Sequence, residues 1–326
     1  MLKFSIIISC YNQELFIKDA VDSALAQGCA SKEIIVVDDG SRDASIRILK
    51  EYGDKIQLVQ FEKNQGPIAA RNAGVARAKG EFLVFLDGDD LFLPWALDTY
   101  NCIVDSKMPK VLLCRLLFFQ GLVPIPQFSE FGKEIQFVKY DALIRKDRTF
   151  RCSASAIVVE RQLFNAVGGW TQNLFPSETD DLLVKLGCAG ESVHILSHPT
   201  IAYRIHSSNT VHQVSRFLDK MHLVIRKEKM GEYPGGPQLR FERYAYIGGA
   251  VFFWCKRALQ AGLYWSAAKF LAAGWLFILA AVVSKIGTRI NGRRPVEKIA
   301  PLFLLEKGKA AADEYGESPV HAGHRA

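Results

Sequence analysis

The sequence predicts an α/β fold: a mostly parallel sheet with helices on both faces, followed by a C-terminal helical segment. Three observations predict it. Four short runs rich in β-branched residues recur within the first hundred positions, and segments of helical period lie between them. The runs are continuously apolar rather than alternating, which is the pattern of strands buried on both faces.

Phe4-Ser5-Ile6-Ile7-Ile8 is the first strand run. It is far too short for a secretory signal core with a cleavage site, so the protein is not expected to be secreted. Phe16, Ile17, Ala20, Val21, Ala24 and Leu25 then share one helical face, and Gly28 closes the segment. Ile34-Ile35-Val36-Val37 is the second strand, ended by Asp38-Asp39-Gly40-Ser41, and Ile56 to Phe61 is the third. Gly66-Pro67 opens a small-residue helix, with proline where its missing N–H costs nothing. Glu81 to Leu86 is the fourth strand, ended by Asp87-Gly88-Asp89-Asp90.

Residues 100 to 150 carry mixed strand signals and a proline-containing loop at Val123-Pro124-Ile125-Pro126. Residues 151 to 206 read as a second part of the same domain, and from about Ser215 the pattern turns helical. The organisation expected is a catalytic domain over 1–215, a helical apolar region over 216–305, and a flexible tail over 306–326.

The 326 residues are 49% apolar and 23% charged, which excludes a disordered chain, a collagen-like fibre and a small disulfide scaffold. Forty-one Lys and Arg against 34 Asp and Glu give +7, an excess suited to an anionic ligand or lipid surface and too small to point to nucleic acid. The seven cysteines are scattered without a Cys-x-x-Cys pair and read as free thiols in a reducing, cytoplasmic compartment.

In parallel sheets ligands bind beyond the carboxyl ends of the strands, and two strands here end in paired acids. Asp87-Gly88-Asp89 can hold a hard cation such as Mg²⁺ or Mn²⁺, whose remaining ligands are water and phosphate oxygens. Each set also reads as an ordinary Asp-Gly turn. Between them lies Asn64 to Gly74, a helix start that favours anions, with Arg71 one turn in. Arg71 suits either a phosphate or an internal tie to Asp38 or Asp87.

Four segments, Ser5 to Asn12, Ile35 to Ser41, Asn64 to Gly74 and Phe85 to Asp90, occur in the order and spacing of the family 2 glycosyltransferases, and the sequence resembles that family over residues 3 to 210. The resemblance implies a GT-A type, Rossmann-like fold, inverting chemistry and a nucleotide-diphosphate-sugar donor, UDP-linked. It puts Ser9, Tyr11, Asp39, Arg71 and Asp87 on the nucleotide side: Tyr11 flanking the base, Asp39 accepting from a base N–H, and Asp87 facing the ribose. It puts Asp89 at the metal, with His206 of Tyr203-Arg204-Ile205-His206 completing the metal shell or contacting the diphosphate.

Val167-Gly168-Gly169-Trp170 matches the family segment that precedes the catalytic acid. In Ser177-Glu178-Thr179-Asp180-Asp181, aligning Lys185-Leu186 with the family's basic-Leu pair puts Glu178 on the family's Glu and Thr179 where the base stands. A threonine cannot take a proton from a sugar hydroxyl at neutral pH. Asp180 is therefore the first candidate base, with Glu178 and Asp181 behind it; an acidic helix start favoured by the dipole is the plain alternative.

Phe270 to Ser284 is uncharged for 15 residues, short of the roughly 20 that span a bilayer. It reads equally as half of a helical hairpin turning near Gly262 and as an interfacial helix with a basic flank at Lys285 to Lys298. The expected partners are a nucleotide sugar, a glycan or lipid-linked acceptor in surface or extracellular polysaccharide synthesis, and a membrane surface. Two other readings stay open: a nucleotidyltransferase, and a nucleotide-sugar-binding protein impaired in catalysis by Thr179.

Overall fold

The computed structural model describes residues 2–29, 31–121, 128–148, 152–207 and 209–300. The loop at Val123-Pro124-Ile125-Pro126 and the tail from 306 lie outside the described residues. The chain runs β1 (Phe4–Cys10), α1 (Ile17–Leu25), β2 (Lys32–Asp38), α2 (Ser45–Lys50), β3 (Gln57–Gln60), α3 (Pro67–Val75) and β4 (Phe82–Asp87). It continues through β5 (Leu91–Phe92), α4 (Ala96–Lys107), β6 (Val111–Leu113), β7 (Leu116–Phe119), β8 (Ile135–Tyr140), β9 (Ile157–Glu160), α5 (Arg161–Ala166) and α6 (Glu178–Gly187). The last elements are β10 (Ser192–Ile195), β11 (Ile201–Arg204), α7 (Val214–Lys229), α8 (Arg240–Gln260), α9 (Tyr264–Asn291) and β12 (Glu297–Ile299).

The main sheet has the order β12-β8-β10-β6-β9-β4-β1-β2-β3. Only β8 and β9 run against the common direction, so the predicted mostly parallel sheet is present. A small second sheet, β5-β11-β7, lies apart from it. Alternate side chains of one strand feed two cores. Ile7, Leu83 and Phe85 pack with α3, α5, α6 and the C-terminal helices. Ile6, Ile8, Val84 and Leu86 pack with α1, α2 and α4. This is the physical reason the strands read as unbroken apolar runs.

The C-terminal region is the expected helical segment, ended by one short strand. Helices α8 and α9 form the hairpin, turning at Gly262, whose φ of +73° is left-handed. The chain then returns as β12 to pair with β8 at the sheet edge. Trp254 stacks on Phe217 of α7 at 3.9 Å and Tyr244 on Phe277 at 4.1 Å, joining α7, α8 and α9. Helix α9, at 28 residues, is long and apolar enough to cross a membrane by length and composition.

The hairpin closes at Gly248, where an added Cβ would stand 1.9 Å from the Phe277 carbonyl oxygen. Overpacking at a backbone contact has no flexible partner to absorb it, so Gly248→Ala is expected to cost about 2–3 kcal/mol in a urea melt. Gly249→Ala, with no neighbour within 4 Å, should leave stability unchanged or raised by up to about 1 kcal/mol.

Candidate active site

Register decides which side chains meet. In the parallel pairing of β1, Ser9 lies opposite Asp87 of β4 and Cys10 opposite Asp38 of β2, so both acidic sets end at one edge of the sheet. Two glycines allow the close approach. A Cβ on Gly88 would sit 2.9 Å from the Ser9 carbonyl oxygen, which instead accepts the Gly88 N–H. Gly40 has φ +70°, and a Cβ there would strike the Lys63 backbone at 2.7 Å.

The first acidic set orders loops. Asp38 Oδ2 accepts the Ser41 N–H at 3.1 Å. Asp39 accepts the Gln65 N–H at 2.7 Å on Oδ1 and the Gly66 N–H at 2.8 Å on Oδ2. Burial raises its pKa, and these two donors partly offset that rise. Each oxygen retains a lone pair. Tyr11, two residues before the Gln13–Ile17 turn, is 42% exposed.

The second set distributes its charges. Asp87 Oδ1 accepts Arg71 Nη2 at 2.7 Å and the Ser9 hydroxyl at 3.4 Å, and its side chain stays 27% exposed. Asp89 Oδ2 lies 2.9 Å from His206 Nε2, and the His206 ring stacks on Phe16 at 5.1 Å. Asp90 is buried and accepts the Ser155 hydroxyl at 2.7 Å and the Arg204 N–H at 3.2 Å. Burial, then the charges of Asp89 and Asp87, push Asp90 well above the carboxylate range.

Asp89 and His206 offer a carboxylate oxygen and an imidazole nitrogen, a donor pair that fits Mn²⁺ or Mg²⁺. Among the described residues no group of three or more His, Cys, Asp or Glu forms a complete cage. A cation held by this pair therefore takes its other ligands from water or phosphate, as Mg²⁺ usually does.

Arg71 takes the internal role, with Glu178 in place of Asp38. Its guanidinium is buried, donates to Asp87 and, at 2.9 Å, to Glu178 Oε1, and lies 5.2 Å from the Trp170 ring centre. The two fallback acids of α6 are both engaged by cations. Glu178 is buried and paired with Arg71 through Oε1, and burial, only partly offset by Arg71, raises its pKa. Asp181 is fully buried and saturated: Lys227 (2.5 Å) and Tyr233 (2.8 Å) donate to Oδ1, Thr171 (2.6 Å) to Oδ2, and Lys185 is 3.2 Å away. Burial alone would raise its pKa, but Lys185, Lys227 and Thr171 hold it below the usual range. It anchors a helix.

Asp180 differs from both. It is half-buried, and burial, only partly offset by Lys146, pushes it up to about 6. Burial in turn lowers Lys146 to about 8, and its ammonium lies 4.1 Å from the Tyr246 ring of α8.

Sequence reasoning missed Arg204 and Ser155. Arg204 donates to the Asp89 carbonyl at 3.0 Å and to Asp19 at 3.1 Å, between the rings of Phe16 and Phe119. Its signal was present, two residues before His206. Ser155 accepts the Asp87 N–H at 3.1 Å while donating to Asp90, and nothing in its local sequence marks it.

Removing one partner of a buried ion pair strands the other charge. Arg71→Met is expected to lower the unfolding free energy by about 3 kcal/mol in chemical denaturation. Adding Glu178→Gln should recover part of that loss; a double variant no more stable than Arg71→Met would show that the pair is not coupled.

Residues 5–168, half of the chain, match the glycosyl transferase family 2 profile. The glycosyltransferase RP339 of Rickettsia prowazekii is 43% identical over 225 residues, covering 66% of this chain and 68% of that protein. Poly(ribitol-phosphate) β-N-acetylglucosaminyltransferase TarS of Staphylococcus aureus is 34% identical over 141 residues; the match takes 41% of this chain and spans a quarter of TarS (25%). The TarS 1-349 structure in complex with UDP superposes with a TM-score of 0.64 at 20% identity, over 86% of this chain and 81% of that one. The mannosyltransferase PcManGT of Pyrobaculum calidifontis, in complex with GDP-Man and Mn²⁺, gives 0.52 at 16% identity, over 95% and 80%. These likenesses give the fold as GT-A, and the family match and the RP339 likeness show that the chain belongs to glycosyl transferase family 2.

Proposed function

We propose that the protein transfers a sugar from a UDP-linked donor to a hydroxyl of a glycan or lipid-linked acceptor, with inversion, in surface or extracellular polysaccharide synthesis. We place it at the cytoplasmic side of the cell, peripheral to the membrane. The observation that carries the reading is the convergence of Ser9, Asp39, Asp87 and Asp89 at one sheet edge, with His206 against Asp89. Solved structures of the same fold are complexes with UDP, UDP-GlcNAc, or GDP-Man and Mn²⁺.

In this reading Tyr11 stacks on the base, Asp39 accepts a base N–H with its remaining lone pairs, and Asp87 meets the ribose. Asp89 and His206 hold the divalent cation, which when bound stabilises negative charge on the diphosphate. Arg204 fixes the Asp89 backbone, so the carboxylate meets its ligand without reorganising.

Asp180 is the general base. It takes the acceptor hydroxyl proton as that oxygen forms its bond to the anomeric carbon; the bond to the diphosphate breaks on the opposite side, and its electron pair leaves with the nucleotide. A pKa of about 6 suits this task, because the carboxylate is ionised at neutral pH yet basic enough to accept the proton.

Only the deprotonated carboxylate works, so kcat should rise with pH and level above about pH 6; a limb near pH 4 would remove the assignment. Asp180→Asn should lower kcat by about a hundredfold or more, with donor affinity by thermal shift unchanged. Asp89→Asn or chelation should abolish the Mn²⁺-dependent part of donor turnover, a loss of about a hundredfold or more. The deciding experiment is a panel of nucleotide sugars with Mn²⁺, read by donor hydrolysis and thermal shift. Donor binding without turnover on any acceptor would favour a binding protein, and silence to every donor would reject the reading.

A further inference from the structure

Helix α9 is apolar on two sides. Ala267, Phe270, Gly274, Phe277 and Ala280, three or four residues apart, are buried against α7 and α8. Leu271, Trp275, Leu279, Val282 and Ile286, again three or four apart, are each about half exposed on the other side. On α8, Phe252 and Phe253 are exposed as well. A globular surface helix uses one apolar stripe for its core. Single exposed apolar residues are ordinary, but a second continuous stripe marks an interaction surface.

Charge names the occupant. From Arg243 to Val296 the chain carries eight Lys and Arg and not one Asp or Glu. Lys269 and Lys285 bracket the uncharged run, Arg289 follows a turn later, and all three are exposed. Tyr264 and Trp265, 70% and 74% exposed, open the helix with side chains suited to a membrane–water boundary. A second copy would bring like charges together with no acid to meet them. A span across the bilayer would strip the inner seam of α9 from α7 and α8.

We propose that the outer face of the α8–α9 hairpin docks on an anionic membrane surface, with α9 lying in the plane of the interface. The Leu271–Ile286 stripe enters the headgroup–acyl boundary, and Lys269, Lys285 and Arg289 meet lipid phosphates. The proposal rests on the functional reading above only for the side of the membrane on which the protein works.

The test is sedimentation of the full chain with vesicles of phosphatidylcholine, with and without phosphatidylglycerol. Binding should require phosphatidylglycerol and weaken as salt rises. Lys285→Ala with Arg289→Ala should lower partitioning about thirtyfold, the effect of two surface cations, and Leu279→Glu with Val282→Glu should abolish it. Each pair should keep the wild-type circular-dichroism melt and thermal response to UDP, so the loss reports the surface and not the fold. A missing UDP response in the wild type would fail the donor reading alone, leaving the vesicle result to stand by itself.

Equal binding to neutral vesicles overturns the proposal. So does a dimer dispersed by the Leu279→Glu pair without vesicle binding, which makes the occupant a second copy. Binding gained only on removal of residues 301–326 overturns it too, making the occupant the chain's own tail.

Discussion

The structure turns on one guanidinium. Arg71 enters from α3 and joins the end of β4, through Asp87, to the start of α6, through Glu178. A buried cation is stable only where anions meet it, and neither carboxylate by itself engages both arms of the fork. The same group lies over Trp170, whose backbone carbonyl accepts the Asn72 side chain from the same helix. The end of β4 and the helix bearing Asp180 are thereby held in one geometry. The far side of α6 is fixed independently, by Lys227 and Tyr233 on Asp181.

Three carboxylates within four residues repel one another unless each finds a different answer. Asp87 has an arginine, Asp89 an imidazole, and Asp90 a hydroxyl and a backbone N–H in a buried setting that disfavours its charge. The set is thus graded: one acid paired, one against a histidine that also fits a cation, one structural. Ser155 ties the first to the third, accepting the Asp87 N–H while donating to Asp90.

Much of the fold was legible in the sequence because strands buried on both faces leave an unmistakable apolar run. The elements from β1 to β4 follow the expected runs closely, apart from α2, whose six residues are too short to show a period. The helical hairpin was also readable, down to the turn at Gly262. Strand β12 was not, because Glu297-Lys298-Ile299 has no pattern of its own and forms only where β8 offers an edge. The site was legible as motifs but not as partnerships. That Glu178 answers Arg71 over 107 positions, or that Asp181 meets Lys227 of α7 and Tyr233 beyond it, depends on packing that local sequence does not encode. The sequence could rank the adjacent acids of this helix but not show that folding gives each a different neighbour.

Strand β12 makes the hairpin a closed loop rather than a free arm. Around it Arg294 binds Asp141 and, through its backbone N–H, Asp147, while Lys107 meets Glu297. At the other end α7 grips α6, and Tyr246 of α8 lies over Lys146 beside the candidate base. A segment strapped at both ends cannot swivel apart from what it is strapped to. With α9 docked as proposed, its orientation on the membrane would be passed through these two straps to the sheet edge and to α6 together.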